Sequence, residues 1–250
     1  MATIVTCYYL LDKSKHSSSE YKKWINNLIS NLKNVNIIIF TSNKDRSQID
    51  DIVKKNNSIT YHIIEKEIKE LIVSTKYSDI WENQYKMDPT PNCGRGIDCY
   101  KIWNNKFSFL KEAIEINPFN SDKFIWNDIG NVRNSNVFKY LNDYPLEKNI
   151  SNDKLDIVLL NNFNNNSQLF FQNDVHFSGS MFGGHKNVIL QLEKLYYIYF
   201  EIYIKKNKFI GCDQQIISSL YLKNKDKFNC IIPHNSTIDP WFYIYQYYST

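Results

Sequence analysis

The sequence predicts an α/β fold with a mostly parallel central sheet flanked by helices. Three observations predict it. Short β-branched and aromatic runs at residues 3–9, 35–40 and 59–64 read as strands. Between them lie stretches with helical spacing, long enough for the crossovers that parallel strands require. The chain has 250 residues, 43% of them hydrophobic and 15% aromatic, which supplies a full core and excludes a disordered chain.

The first run, "TIVTCYY", opens the sheet. In the stretch 17–32 serines are placed to cap a helix, and Trp24, Leu28 and Leu32 recur at a spacing that faces a core. "VNIIIF" ends at Thr41-Ser42-Asn43, a short helix follows over 45–56, and "ITYHII" is the third strand. Residues 66–87 read as helical. Two prolines and two glycines make 87–96 a loop. One long amphipathic helix is expected over 97–117, stopped by Pro118, and it leads into the strand "KFIWND" at 123–128. A short helix at 136–142 precedes the strand 154–160. A surface turn at 161–167 follows, then short irregular strands at 169–172 and 175–184. Helices at 186–206 and 213–222, a last strand at 228–233 and an aromatic tail over 238–250 complete the chain. Without an internal repeat or a linker-like stretch, a single domain is expected.

The net charge of +4 is small and its lysines are scattered, so a nucleic-acid partner is not expected. No apolar run reaches membrane-spanning length. Five cysteines without framework spacing read as reduced thiols, and the apolar start lacks a basic leader; both point to the cytoplasm.

All seven glycines come at or after Gly94, in the stretches "CGRGID", "NDIGNVR", "HFSGSMFGGHK" and "GCDQQ". Two of the three arginines, Arg95 and Arg133, share those stretches. Glycine lets backbone approach a ligand closely, so these segments are candidates for one shared site. None of them is a dinucleotide fingerprint, a Walker loop or a G-x-S-x-G elbow, which disfavours dinucleotide oxidoreductases, P-loop ATPases and common serine hydrolases. In open α/β sheets ligands bind beyond the carboxyl ends of the strands. Thr6, Cys7, Tyr8, Thr41 and Asp128 all fall at such ends.

"TIVTCYY", the segment "YKIWNNKFSFLKEAIEINPFNSDKFIWNDIGNVR" and the later "FGG" and "GCDQQ" resemble the HtrL/YibB-like proteins, glycosyltransferase-like proteins of bacteria and viruses. The resemblance spans most of the chain and is strongest over 100–133. It implies a GT-A-like (Rossmann-like) fold, with a nucleotide-sugar-binding half at 1–133 and a smaller acceptor-side half at 134–250. It also implies transfer of a sugar from a nucleotide-sugar donor, expected to be a UDP-hexose or UDP-N-acetylhexosamine. The acceptor would be a glycan, a lipid-linked sugar or a protein, and a viral member would act in the host cytoplasm. A GT-A-shaped binding protein without turnover is the alternative.

In such enzymes a D-x-D motif holds Mn²⁺ (or Mg²⁺) against the donor diphosphate. Here the pattern is Asp128-Ile129-Gly130, so the second carboxylate is missing. The expected donor contacts are Thr6, Cys7, Tyr8, Thr41, Lys106, Asn127 and Asp128. Lys106 supplies a point charge to the phosphates, and Asn127 offers an amide oxygen. The expected metal ligands are Asp128 and His234, with His176 and His185 as alternatives. Asp213, at the start of a predicted helix, is the expected functional carboxylate, and Gln214 a sugar or acceptor contact. Helix capping alone also explains Asp213.

Overall fold

The structure is a computed structural model that describes residues 1–164, 170–171 and 174–250. Seven strands form one sheet: β1 (Thr3–Tyr8), β2 (Val35–Thr41), β3 (Ile59–Glu65), β4 (Lys123–Asn127), β5 (Leu155–Leu159), β6 (Phe177–His185) and β7 (Phe228–Ile231). Their spatial order is β3-β2-β1-β4-β6-β5-β7. The pairs β1–β2, β2–β3, β1–β4 and β5–β7 are parallel, and β6 runs antiparallel to both β4 and β5. The fold class is therefore the one expected, α/β with a mostly parallel sheet.

The helices are α1 (Ser18–Asn31), α2 (Asn43–Val53), α3 (Ile72–Thr75), α4 (Trp81–Lys86), α5 (Ile97–Asn104), α6 (Lys106–Ile116), α7 (Phe138–Leu141), α8 (Lys186–Lys205), α9 (Asp213–Lys223) and α10 (Ile244–Tyr247). They cover both faces of the sheet, so its central strands β1, β2 and β4 are buried along almost their whole length. Val5, Ile38, Phe40 and Trp126 pack in one core, with residues of α5, α6, α8 and α9. Ile4, Ile37, Ile39 and Ile125 pack in the other, with α1, α2 and the aromatic tail. Ser17 and Glu20 form a capping box at the start of α1, and Trp24, Leu28 and Leu32 are buried as their spacing predicts.

Five expectations need correction or limits. The helix expected over 97–117 breaks into α5 and α6 at Asn105. The carbonyl of Asn104 accepts from the Tyr197 hydroxyl at 3.1 Å, while the Asn104 amide donates to the carbonyls of Tyr100 at 2.8 Å and Ile210 at 2.7 Å. Tertiary partners thus take groups that a continuous helix would use. Residues 66–87 form short turns and helices, with the Trp81 indole donating to the Val73 carbonyl and the Ser74 hydroxyl to that of Ile68. In place of short strands over 175–184, β6 is one continuous nine-residue strand whose small residues fit a crowded centre, and its pairing with β5 keeps the expected irregularity as a register shift between Ile157 and Leu159. A Cβ at Gly183 would lie 2.9 Å from Ile125 Cγ1. The strand expected at 169–172 lies largely outside the described residues, and Phe170 and Phe171 are in no strand. Part of the expected turn at 161–167 is likewise outside them.

The sheet order places a switch point between β1 and β4. From β1 the chain winds outward through β2 and β3, then returns to add β4 on the other side. Loops leaving the carboxyl ends of β1 and β4 diverge there and open a crevice.

Candidate active site

A cleft of about 490 Å³ occupies that crevice. Cys7 and Tyr8 from the end of β1, Asp128 from the end of β4, Lys106 from the first turn of α6 and Asp213 and Gln214 from α9 all line it. Residues the sequence places far apart thus converge where the topology predicts a ligand.

Lys106 is the hub. Its Nζ lies 3.2 Å from Asp128 Oδ1 and 3.3 Å from Oδ2, 3.0 Å from Asp213 Oδ2, and donates to the Gly179 carbonyl at 2.8 Å. The break at Asn105 makes this reach possible, because α6 starts afresh at Lys106. Burial disfavours the ammonium, but Asp128 and Asp213 outweigh it and raise the Lys106 pKa above the ordinary lysine value. The Asp213 carboxyl is pushed up, chiefly by burial; Lys106 opposes the shift and Asp128 adds to it. Two carboxylates against one ammonium leave the triad with one negative charge.

The two carboxylates differ in exposure. The Asp128 side chain is 32% exposed, whereas that of Asp213 is 5% exposed. Asp128 is fixed by its backbone N–H, which donates to the Ser180 carbonyl at 2.8 Å, and by the Trp126 indole, which donates to Oδ1 at 2.7 Å. Asp213 packs against Gly179, where a Cβ would sit 3.0 Å from Asp213 Oδ2 and 2.8 Å from Gln214 Cγ. That close approach requires glycine at 179. Asp213 opens α9, and the cap position before it, Cys212, makes no side-chain cap bond. Gln214 donates to the Phe177 carbonyl at 2.5 Å and accepts from the Cys212 thiol at 3.1 Å.

Other expected contacts stand behind the cleft wall. Thr6 is fully buried. The Thr41 hydroxyl donates to the Tyr8 carbonyl at 2.8 Å and ties β1 to β2. Asn127 is fully buried, with its side-chain oxygen accepting from the Tyr245 hydroxyl at 2.7 Å and its amide donating to the Asp128 carbonyl at 3.1 Å. Its amide therefore holds the chain and faces no ligand. Tyr8 reaches the cleft, but its hydroxyl accepts from Gln48 at 3.0 Å.

The histidines lie elsewhere. His234 is exposed after β7 and does not line the cleft; its carbonyl accepts from the Tyr243 hydroxyl at 3.0 Å. His176 stacks on Phe163 at 3.9 Å, and His185 caps α8. Among the described residues no three His, Cys, Asp or Glu side chains cluster as metal ligands. At the position of the missing carboxylate, a Cβ on Gly130 would lie 3.0 Å from Tyr21 Cε1 and 3.3 Å from Trp24 Cε3. Aromatic rings fill that place. The residues present therefore do not fit a resident Mn²⁺ or Mg²⁺: of the cleft carboxylates, Asp128 and Asp213 both pair with Lys106, Asp239 Oδ1 accepts from the Trp241 N–H, and no three ligands cluster among the described residues.

Sequence reasoning passed over several lining residues. His16 lies on the loop after β1, and Asp239, Trp241 and Phe242 come from the aromatic tail. The loop after β1 was open to discovery, since the first strand's carboxyl end was already a candidate region. The tail residues carried no local signal.

The site is a crevice with charged groups set among aromatic and apolar walls, at the switch point of an open α/β sheet, the position where such folds hold a ligand. Residues 2–250 match the HtrL_YibB family, described as a bacterial protein of unknown function, and the chain belongs to that family. Comparison with curated proteins returns no match. Among solved structures the chain is similar to mouse xyloside xylosyltransferase 1 in its apo form, with 11% identity over 92% of this chain and 85% of that chain and a TM-score of 0.46. Among the described residues no helix is long and apolar enough to cross a membrane.

Proposed function

We propose that the protein is a GT-A-type glycosyltransferase that moves a sugar from a nucleotide-sugar donor, a UDP-hexose or UDP-N-acetylhexosamine, to a glycan, lipid-linked or protein acceptor. The observation that carries this reading is the convergence of Asp128, Lys106 and Asp213 at the carboxyl ends of β1 and β4. The nucleotide lies over the β1 end beside Tyr8, and the sugar points toward Asp213 and Gln214. In transfer, the acceptor hydroxyl oxygen bonds to the anomeric carbon as the bond from that carbon to the diphosphate oxygen breaks. The nucleoside diphosphate leaves with the electron pair. Asp213 receives or orients the hydroxyl proton, and Lys106 holds both carboxylates in place.

A second reading is a nucleotide-sugar-binding protein without turnover. The near-complete burial of Asp213 in its ion pair with Lys106 favours it, because a side chain 5% exposed leaves an acceptor hydroxyl little room to reach it. One experiment separates the two. The protein is incubated with a panel of UDP-, GDP- and CMP-sugars, and both thermal stabilisation and release of nucleotide are followed. Stabilisation with slow donor hydrolysis supports the transferase, and stabilisation alone supports the binding protein. No stabilisation by any donor at millimolar concentration refutes both.

A further inference from the structure

The charge that would meet a donor diphosphate has no evident source in the triad. Lys106 is spent on two carboxylates, and the place of a second metal-binding carboxylate is taken by Tyr21 and Trp24. Arg95, another cleft cation, is paired with Asp88 at 3.1 Å. Arg133 differs. Its guanidinium carbon lies 4.8 Å from the Trp24 ring centre and 5.5 Å from that of Phe242, and its Nε donates to the Gly130 carbonyl at 3.3 Å. Ring contacts and this hydrogen bond fix the plane of the group. Among the described residues its two terminal nitrogens meet no carboxylate and no hydrogen-bond acceptor. They form a planar fork with the geometry that phosphate oxygens accept.

A second group points the same way. His16 stands edge-on to Trp24, ring centres 4.8 Å apart, and its Nε2 is buried without a hydrogen-bond partner among the described residues. A buried polar nitrogen left unsatisfied costs free energy, which a ligand would recover. Burial, and then the charge of Arg133, lower the His16 pKa from the ordinary histidine value, against the Glu20 carboxylate that lies 3.9 Å from Nδ1. Trp24 thus carries a histidine and an arginine, and Gly130 packs on the same ring. Arg133 and His16 both line the cleft that Asp128 faces.

We propose that Arg133 and His16, mounted on Trp24, form a diphosphate subsite that does the work of the divalent cation, so that the donor binds without metal. The pyrophosphate oxygens accept from the free guanidinium nitrogens and from His16 Nε2, and the guanidinium offsets the charge developed on the leaving nucleoside diphosphate. Gly130, in place of a carboxylate, belongs to this arrangement, because it gives Trp24 and Tyr21 room beside the turn. The proposal rests on the nucleotide-sugar reading for the identity of the ligand, but the anion subsite itself is testable without it.

The test uses calorimetric titration of the full chain with UDP, uridine and inorganic pyrophosphate, each in chelator and in Mn²⁺. UDP and pyrophosphate are expected to bind in chelator with a Kd within about threefold of that in Mn²⁺, since a preformed guanidinium fork needs no added cation. Arg133→Gln is expected to weaken both by at least about tenfold, the loss typical of a charge-assisted hydrogen bond, while uridine binding stays unchanged. His16→Ala gives a smaller loss in the same two ligands, and keeps the test open should Arg133→Gln disturb the loop. UDP binding that is lost in chelator and regained with Mn²⁺ would overturn the proposal, as would parent-like pyrophosphate affinity in Arg133→Gln. Pyrophosphate binding without UDP binding would support the subsite and refute the nucleotide-sugar reading. Uridine binding without pyrophosphate binding would do the reverse.

Discussion

Replacing Lys106 with methionine removes an ammonium and keeps the length of the side chain. In the parent that ammonium touches Asp213 at 3.0 Å and both oxygens of Asp128 at 3.2 and 3.3 Å, and donates to the Gly179 carbonyl. Asp213, only 5% exposed, would be left as an unpaired buried carboxylate. Breaking a buried pair this way costs about 3–5 kcal/mol. Asp128 adds little, because a third of its side chain is in water and solvent screens it. For a chain of this size each kcal/mol lowers Tm by about 2–4 °C, so Lys106→Met should melt roughly 6–20 °C below the parent. Adding Asp213→Asn removes the stranded charge, and the double variant should be more stable than Lys106→Met alone. Urea unfolding at pH 7 of the parent, both single variants and the double variant closes the cycle, with an expected coupling of about 1–3 kcal/mol. A loss below about 1 kcal/mol in Lys106→Met, or additive single effects, would show that the triad is not a buried ion pair of consequence.

Other expectations follow from the same geometry. Gly130→Ala places a Cβ 3.0 Å from Tyr21 Cε1. Overpacking of that kind costs about 1–3 kcal/mol, so a parent-like Tm would show that the aromatic wall yields freely. Asp213→Asn should leave UDP binding intact and lower transfer or donor hydrolysis by about 10²–10⁴-fold, the usual contribution of a general base; unchanged turnover would remove Asp213 from the chemistry. Glu193 on α8 is 5% exposed, and burial raises its pKa above the ordinary 4.5 against the opposing charge of Lys111. The protonated form therefore adds stability that is complete below pH 4.5 and is lost as the pH rises through the folded value. Glu193→Gln should raise Tm at pH 7 and give no gain at pH 4, and an equal shift at both would contradict the assignment.

The parallel part of the sheet was legible because its signals are local. "TIVTCYY", "VNIIIF" and "ITYHII" carry strand composition and alternate with helical spacing, and β1, β2 and β3 fall where those runs stand. Asp128 and Lys106 could be singled out because one ends a strand and the other precedes it on a helix. What stayed hidden depends on distant partners. The break at Asn105 follows from Tyr197 and Ile210, neither adjacent in sequence. The glycines of β6 gave no strand signal because Gly179 answers to Asp213 and Gln214, and Gly183 to Ile125, across the fold. Asn127 looked like a ligand because its bond to Tyr245 joins residues 118 apart. Arg133 was visible as a charge in a glycine-rich turn, but its seat on Trp24 and Phe242 belongs to tertiary structure.

The partners of the Lys106 ammonium, at Asp128, Gly179 and Asp213, are strung along the second half of the chain. Asp128 follows Lys106 by 22 residues and Gly179 by 73, and Asp213 comes later still, so during synthesis the cation's partners are made one after another. A nascent chain that stops after β4 already has the parallel strands β1 to β4, yet its lysine must remain hydrated or pair transiently with Asp128 alone. The charge centre closes only once α9 docks. The wall of the cleft is therefore complete only when the C-terminal half of the chain is in place.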